Sequence, residues 1–151
     1  GYYRAPEANA ETFDRDGWFL TGDLGSIDAD GRVRFRGRLK EMIKTGGVNV
    51  APLEVEHVLM QHPDIVQAHV VGVPDRLKGE IVAAAVEIRA DAKPDAAAIT
   101  AFCRERLASY KVPTRLAFRT AGEFPRTATG KIHKPGLRDE LAQELASHGT
   151  S

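Results

Sequence analysis

The sequence has only one cysteine, Cys103, among its 151 residues. A single cysteine cannot form an internal disulfide, which is typical of a protein from a reducing compartment. The chain opens Gly-Tyr-Tyr-Arg, without the apolar segment of a secretory leader. We therefore expect a cytoplasmic protein with Cys103 as an inert residue of the core. The first residue is not Met, and we expect a piece of a longer protein.

Net charge and long apolar runs are lacking as well. Lys+Arg and Asp+Glu both number 21, so the formal net charge is zero and no overall field attracts nucleic acid. The longest apolar stretch, near residues 81–86, is far shorter than the roughly 20 residues that a membrane-spanning helix needs. The five histidines show no metal-ligand spacing. We expect no nucleic-acid partner, no transmembrane segment and no metal site within the chain.

What the sequence does contain is a series of short strands and amphipathic helices. Turn signals and the alternation of apolar residues with arginines over residues 32–36 predict turn-rich β structure for residues 1–36. The further expected elements are a helix from Pro52, two antiparallel strands over 65–73 and 81–88, a helix from Pro94 and Asp95 to Tyr110, a strand over 116–120, and a helix from Pro135 with Leu137, Leu141 and Leu145 on one face.

Three charged residues and one glycine pair are the candidate functional features of this sequence. Lys131 lies in the loop Pro-Arg-Thr-Ala-Thr-Gly-Lys-Ile-His-Lys (residues 125–134), which we call the lysine loop and expect to be a mobile tip followed by a short strand. Asp23 lies between two glycines, where a carboxylate can accept hydrogen bonds from two ribose hydroxyls. Arg38 offers a planar fork that suits phosphate. The Gly46-Gly47 pair allows a thin ligand close to the main chain. Taken singly, each is more often a surface turn or a solvated charge.

Several motifs occur together in a fixed order. Gly-Trp-Phe-Leu-Thr-Gly-Asp-Leu-Gly (17–25), Gly-Arg-Leu-Lys-Glu-Met-Ile-Lys (37–44) and Thr-Gly-Lys-Ile (129–132) follow one another. Pro-Leu-Glu-Val-Glu (52–56), Gly-Val-Pro-Asp (72–75) and Tyr-Lys-Val-Pro (110–113) lie between the last two. Over residues 1–146 the chain resembles the C-terminal third of the adenylate-forming superfamily, and most of all its fatty-acyl and coumaroyl CoA ligases.

The resemblance implies a two-step reaction. In that family a carboxylate attacks the α-phosphate of ATP to give an acyl-adenylate and pyrophosphate. The C-terminal domain then rotates, and the thiolate of CoA displaces AMP. The implied cofactors are ATP/AMP, CoA and Mg²⁺, with the metal site in an N-terminal domain outside these residues. Lys131 takes the position of the mobile catalytic lysine, a role that suits a compact cation between two anions.

The resemblance also implies roles for other residues. Lys40 takes the hinge position, where many relatives carry Asp. The implied nucleotide-binding residues are Asp23, Arg38, Lys44 and Asn49. The implied CoA-binding residues are Gly46, Gly47, Tyr110 and Lys111, whereas Lys78 stands where some relatives stack an aromatic ring on the CoA adenine.

The implied fold is α+β: a small C-terminal domain with a central antiparallel sheet of about three strands flanked by helices, preceded by a β-hairpin remnant of the large domain. The expected divisions are the end of the large domain (1–39), the hinge (40), the small mobile domain (41–146) and a disordered tail (147–151). Its partner would be its own N-terminal adenylation domain with the carboxylic acid substrate, and the isolated chain is expected to be inactive. The alternatives are an adenylation domain of a nonribosomal peptide synthetase and a non-catalytic nucleotide-binding module.

Overall fold

A computed structural model describes residues 1–93 and 95–148. The chain divides into two compact units, residues 1–40 and residues 41–151. The first unit contains helix α1 (Pro6–Thr12) and strands β1 (Asp23–Ile27) and β2 (Val33–Arg38). The second contains β3 (Ile43–Thr45), β4 (Val48–Val50), α2 (Pro52–Leu59), β5 (Ile65–Asp75), β6 (Gly79–Ile88), α3 (Ala96–Arg104), β7 (Arg115–Arg119) and α4 (Lys134–His148).

The first unit is an antiparallel hairpin preceded by a short helix. The carboxylate of Asp28 accepts hydrogen bonds from the backbone N–H groups of Asp30 (3.1 Å) and Arg32 (2.9 Å), which closes the turn between β1 and β2. Helix α1 corrects the prediction of turn-rich β structure for residues 1–36, and Pro6 favours its start because proline is well suited to a first helical turn. Among residues 1–40, all of which are described, only Gly37 is buried.

The second unit is built on a five-stranded sheet with the order β4-β3-β6-β5, in which β7 also pairs with β6. Strands β5 and β6 form the predicted antiparallel pair, in register from Gln67 opposite Glu87 to Asp75 opposite Gly79. Strand β7 runs parallel to β6, from Ala83 opposite Arg115 onward. The α+β class is confirmed, with more strands than expected and one parallel pair. The parallel pairing follows from α3, because a crossover through a helix returns the chain in its original direction.

Helices cover both faces of this sheet. Val82, Ala84 and Val86 pack in one buried cluster with residues of α2 and α3, including Val55, Leu59, Ile99 and Cys103. The alternate residues Ala83 and Ala85 pack in a second cluster with Leu137 and Leu141 of α4. This division follows from the period of two along a strand. Cys103 is fully buried as predicted, and burial raises the pKa of its thiol.

The ends of two helices differ from expectation. Helix α3 ends at Arg104, and Tyr110 lies in a separate 3₁₀ turn, Ser109–Lys111. Pro94, expected at the start of this helix, lies outside the described residues, and the side chain of Asp95 caps α3 by accepting from the Ala98 N–H at 2.9 Å. Helix α4 continues to His148, two residues into the expected tail, and residues 149–151 also lie outside the described residues. In the described part of the chain, no helix has the length and apolar character to cross a membrane.

Candidate functional site

The lysine loop is a tight hairpin. At its base the His133 N–H donates to the Pro125 carbonyl (2.8 Å), and the Thr127 N–H donates to the Lys131 carbonyl (2.7 Å). The turn closes with the Gly130 N–H on the Thr127 carbonyl at 2.8 Å, and Gly130 has a φ of +82°. The short strand predicted after Lys131 is a single β-bridge between Arg126 and Ile132. Hydrogen bonds at several levels therefore give the loop a defined shape.

The side chain of Lys131 projects from this hairpin into solvent. Its backbone N–H donates to the Thr127 hydroxyl at 3.2 Å, and within the described residues its ammonium has no hydrogen bond or ion pair. The Arg126 guanidinium donates to the Gly130 carbonyl at 2.9 Å and so stabilises the turn. The result is one exposed ammonium on a hydrogen-bonded hairpin.

Asp23 and Arg38 lie opposite each other on β1 and β2. The Arg38 Nε and the Asp23 Oδ1 are 3.1 Å apart, and the two side chains are 63% and 34% exposed. Exposed pairs of this kind contribute little to stability, about 0–1 kcal/mol. Both groups are therefore accessible to a ligand, and the structure brings together the two residues predicted to bind nucleotide in the first unit.

The glycine pair forms the turn between β3 and β4. Gly46 and Gly47 have φ values of +56° and +81°, which a two-residue hairpin of this type requires at both central positions. A Cβ at either residue would meet no atom within 4 Å. Lys44 and Asn49 lie directly opposite each other on this hairpin. Four of the predicted site residues, Lys44, Gly46, Gly47 and Asn49, therefore belong to one local element.

Glu80 supports this hairpin and was not identified from the sequence. Its Oε2 accepts the backbone N–H of Lys44 at 2.8 Å, and its Oε1 lies 2.9 Å from the Arg138 guanidinium. The Gly46 N–H donates to the Lys78 carbonyl at 2.8 Å. Strand β3 pairs with β6 only at Thr45 and Gly79. The Lys44 N–H therefore donates to the Glu80 carboxylate and not to a backbone carbonyl of β6. The sequence signal that could have identified Glu80 is its position as an acidic residue at the start of an apolar strand.

Tyr110 and Lys111 lie on the 3₁₀ turn that follows α3. The Lys111 ammonium donates to both oxygens of Glu54, at 2.6 and 2.8 Å. Tyr110 is 45% exposed, and the Lys111 ammonium lies 5.7 Å from the centre of its ring. A ligand anion would have to compete with Glu54 for Lys111, whereas the face of Tyr110 is accessible.

A second charged cluster lies at the first residue of α4. The Lys134 ammonium is 2.8 Å from Glu41 Oε2 and 3.1 Å from Glu56 Oε1. Glu56 is buried and also accepts the Val70 N–H at 2.9 Å. Burial lowers the pKa of Lys134, but the charges of Glu56 and Glu41 outweigh it and the net pKa is raised. No local sequence pattern predicts this cluster, because its members are far apart along the chain.

The described residues contain no group of three or more His, Cys, Asp or Glu side chains that could hold a metal ion. We therefore assign none of the described residues to Mg²⁺.

Comparison with known proteins gives one matching domain family and several similar proteins. The pattern of the AMP-binding enzyme C-terminal domain matches residues 54–131. A 2-succinylbenzoate–CoA ligase of Geobacillus kaustophilus is 48% identical over 141 residues, which are 93% of this chain and 27% of that protein. The chain thus spans about a quarter of the length of the curated relatives it matches.

Two solved structures have a similar fold. ATP-bound MatB from Rhodopseudomonas palustris is 38% identical with a TM-score of 0.85, and the match covers 94% of this chain and 28% of that one. The amide bond synthetase McbA from Marinactinospora thermotolerans is 40% identical with a TM-score of 0.85, with coverage of 93% and 28%. The similarity extends over nearly all of the chain in both cases.

Proposed function

Because the chain belongs to the family of AMP-binding enzyme C-terminal domains, we propose that it is the C-terminal part of an ATP-dependent acyl-CoA ligase. Such an enzyme converts a carboxylate and ATP to an acyl-adenylate and pyrophosphate, and then converts the adenylate and CoA to acyl-CoA and AMP. The observation that carries the proposal is the lysine loop, which holds one exposed ammonium at the tip of a hydrogen-bonded hairpin. The relatives named as CoA ligases support it.

Lys131 would act in the first step. As the carboxylate oxygen attacks the α-phosphate, negative charge accumulates between two groups that are already anionic. An ammonium placed between them stabilises that charge more in the transition state than before reaction. Reorienting the exposed side chain of Lys131 requires little free energy, since within the described residues no ion pair has to break.

Asp23 and Arg38 would bind the nucleotide from the first unit. The Asp23 carboxylate accepts hydrogen bonds from ribose hydroxyls, and the adjacent Arg38 guanidinium donates to ribose or phosphate oxygens. Their exposed pairing at 3.1 Å supports this proposal, because a ligand can join the pair without desolvating a buried charge. Lys44 and Asn49 would contribute from the β3–β4 hairpin.

The second step would use a different surface of the small domain. Rotation about Lys40 would withdraw Lys131 and bring the Gly46-Gly47 turn to the site, where open space beside both glycines suits a narrow pantetheine chain. Tyr110 would contact the CoA nucleotide, with Lys111 contributing only when Glu54 releases it. The carboxylate pocket and the Mg²⁺ site would belong to the N-terminal adenylation domain, the expected partner of this chain, which alone is expected to be inactive.

Exposed apolar residues in the first unit support the presence of that partner. Trp18, Ile27 and Val33 are 73%, 72% and 76% exposed. An isolated hairpin is marginally stable in water and gains stability when its apolar residues are covered.

The test replaces Lys131 with alanine in the protein that carries this chain behind its adenylation domain. We expect ATP–pyrophosphate exchange to fall by about 10²–10³-fold, the usual cost of removing one group that stabilises transition-state charge. Formation of acyl-CoA from preformed acyl-adenylate should be preserved. Lys93→Ala, which removes another exposed lysine, is the control and should change neither step.

The outcomes separate the alternatives. Unchanged exchange in Lys131→Ala would refute the catalytic role of Lys131, whereas absence of exchange in the parent protein with every carboxylic acid offered would favour a non-catalytic nucleotide-binding module. Because an amide bond synthetase shares the fold, the acceptor needs its own comparison: CoA, a phosphopantetheinyl carrier protein and a simple amine are each offered to the acyl-adenylate. Transfer to the carrier protein alone would identify a peptide-synthetase adenylation domain in place of a CoA ligase.

A further inference from the structure

Lys134 joins two segments that are distant in sequence. Its ammonium lies 2.8 Å from Glu41, the first residue of the second unit, and 3.1 Å from Glu56 of α2. Glu56 is fixed in turn by its hydrogen bond from the Val70 N–H at the midpoint of β5. We call Glu41, Lys134 and Glu56 the hinge cluster. It connects the residue after Lys40 to the core of the small domain.

The hinge cluster also adjoins the lysine loop. His133, which precedes Lys134, closes the base of the loop through its N–H on the Pro125 carbonyl at 2.8 Å. The His133 carbonyl accepts the Leu137 N–H at 3.0 Å, so the loop continues into the first turn of α4 without a flexible joint. Fixing Lys134 therefore fixes the point from which Lys131 projects.

Removing the positive charge from the hinge cluster is energetically unfavourable. Glu56 is 8% exposed, and the side chain of Lys134 is 24% exposed. Loss of the cation would leave the Glu56 carboxylate buried with the Val70 N–H as its other partner, and uncompensated buried charge is strongly unfavourable. Glu41 is the more exposed member, with 37% of its side chain accessible, so it can be altered without leaving a buried charge.

From these contacts we propose that Lys134 is a positioning residue that makes the start of the small domain and the lysine loop move as one body. Rotation at Lys40 is then transmitted through Glu41 and Lys134 to the base of the loop, and Lys131 arrives at a defined place. This role presupposes the proposed function, because it has meaning only if Lys131 acts in adenylation and Lys40 is the hinge.

The experiment compares Lys134→Met with Lys134→Arg in the full protein. Methionine keeps an apolar stem and removes the charge, whereas arginine keeps the charge. We expect Lys134→Met to lower kcat of the adenylation step by about 10- to 100-fold, since misplacement of a catalytic group by about 1 Å has such an effect. The KM for ATP and the thioester step from preformed acyl-adenylate should change less than about threefold, because binding and thiol attack do not need Lys131 in place. Lys134→Arg should restore most of the adenylation rate.

Two further variants separate positioning from stability. Arg119→Met removes an ion pair with Glu144 farther along α4 and is the matched control for general loosening of this helix. It should leave the ratio of the two half-reactions unchanged. Glu41→Gln should lower adenylation while leaving the melting temperature near that of the parent, and it provides a test if Lys134→Met does not fold.

The proposal is overturned if Lys134→Met and Arg119→Met lower both half-reactions in the same proportion, or if Glu41→Gln leaves adenylation unchanged. Failure of the proposed function looks different, because the parent protein itself would then show no adenylation, and failure of the catalytic role of Lys131 would leave adenylation intact in Lys131→Ala. Adenylation that is lost in Lys131→Ala but normal in Glu41→Gln would refute only the positioning role.

Discussion

Gly72 shows at the scale of one residue how closely the second unit is packed around Glu80. A Cβ at Gly72 would lie 2.8 Å from Glu80 Oε2 and 3.0 Å from Ile43 Cγ2. The Glu80 carboxylate cannot simply move away, because it accepts the Lys44 N–H and pairs with Arg138. The absence of a side chain at Gly72 is thus a condition for the contact that supports β3.

We predict that Gly72→Ala lowers the free energy of unfolding by about 1–3 kcal/mol, the range for overpacking or for a buried hydrogen bond that is lost. The measurement is denaturant unfolding of the full protein and of its variant. Gly122→Ala is the matched control, since a Cβ there meets nothing within 4 Å and its backbone is not in the left-handed region. Equal stability of the two variants would show that Glu80 has room to adjust.

Residue type and local spacing predict single candidate residues but not the partners that the fold supplies. Lys131, Asp23 and Arg38 stand in local motifs, so residue type and spacing were enough to predict them as candidate site residues. Glu80 and Lys134 act through Lys44 and Glu56, which lie 36 and 78 residues away in the sequence. No local pattern encodes such a contact, because it depends on the pairing of β3 with β6 and on where α4 meets the sheet.

At the scale of elements, two hairpin turns use glycine in the same way at separate places. Gly47 has a φ of +81° in the β3–β4 turn, and Gly130 has a φ of +82° in the lysine loop. Neither position would place a Cβ within 4 Å of another atom. Substitution by alanine therefore imposes a similar local strain at both, about 1–3 kcal/mol, without a steric clash.

This equivalence gives a paired prediction. Gly130→Ala should lower the adenylation step, because the turn that presents Lys131 is distorted, and should spare the thioester step. Gly47→Ala should lower the thioester step more than adenylation, because it distorts the turn proposed to line the thiol path, whereas Lys44 and Asn49 lie on the paired strands beside that turn. The two half-reactions are measured separately in each variant. Loss of the same step in both variants would contradict the assignment of the two turns to different steps.

The elements themselves were predicted with uneven success. Helix α2, the β5–β6 pair and the leucine stripe of α4 were confirmed because their apolar periodicity is set by burial against one sheet. Helix α1 was missed because it buries no residue and carries no apolar stripe. The parallel β6–β7 pair was missed because strand direction depends on the path of the chain through α3, which periodicity does not record.

At the scale of the molecule, the two units differ in how they are stabilised. The second unit has buried clusters on both faces of a five-stranded sheet. The first has one buried residue among its 40 and exposes several large apolar side chains. A hairpin of this kind is expected to depend on contacts with a further surface, whereas the second unit has a core of its own.

The single tryptophan, Trp18, reports on the first unit alone, since it lies in residues 1–40 and is 73% exposed. We predict that in the 151-residue chain its fluorescence is quenched readily by acrylamide and changes little during the cooperative unfolding that circular dichroism records for the second unit. In the protein that includes the adenylation domain, the same residue should be shielded from acrylamide, because that domain covers the apolar side chains around it.

Trp18→Phe separates this signal from any other chromophore, since it removes tryptophan from the 151-residue chain. The longer protein is compared by the difference between parent and variant. A Trp18 signal that follows the unfolding of the second unit in the short chain would mean that the two units fold together. Equal quenching of Trp18 in the short and the long protein would mean that no further domain covers this face, and the proposed place of the chain at the C-terminal end of a ligase would lose its structural support.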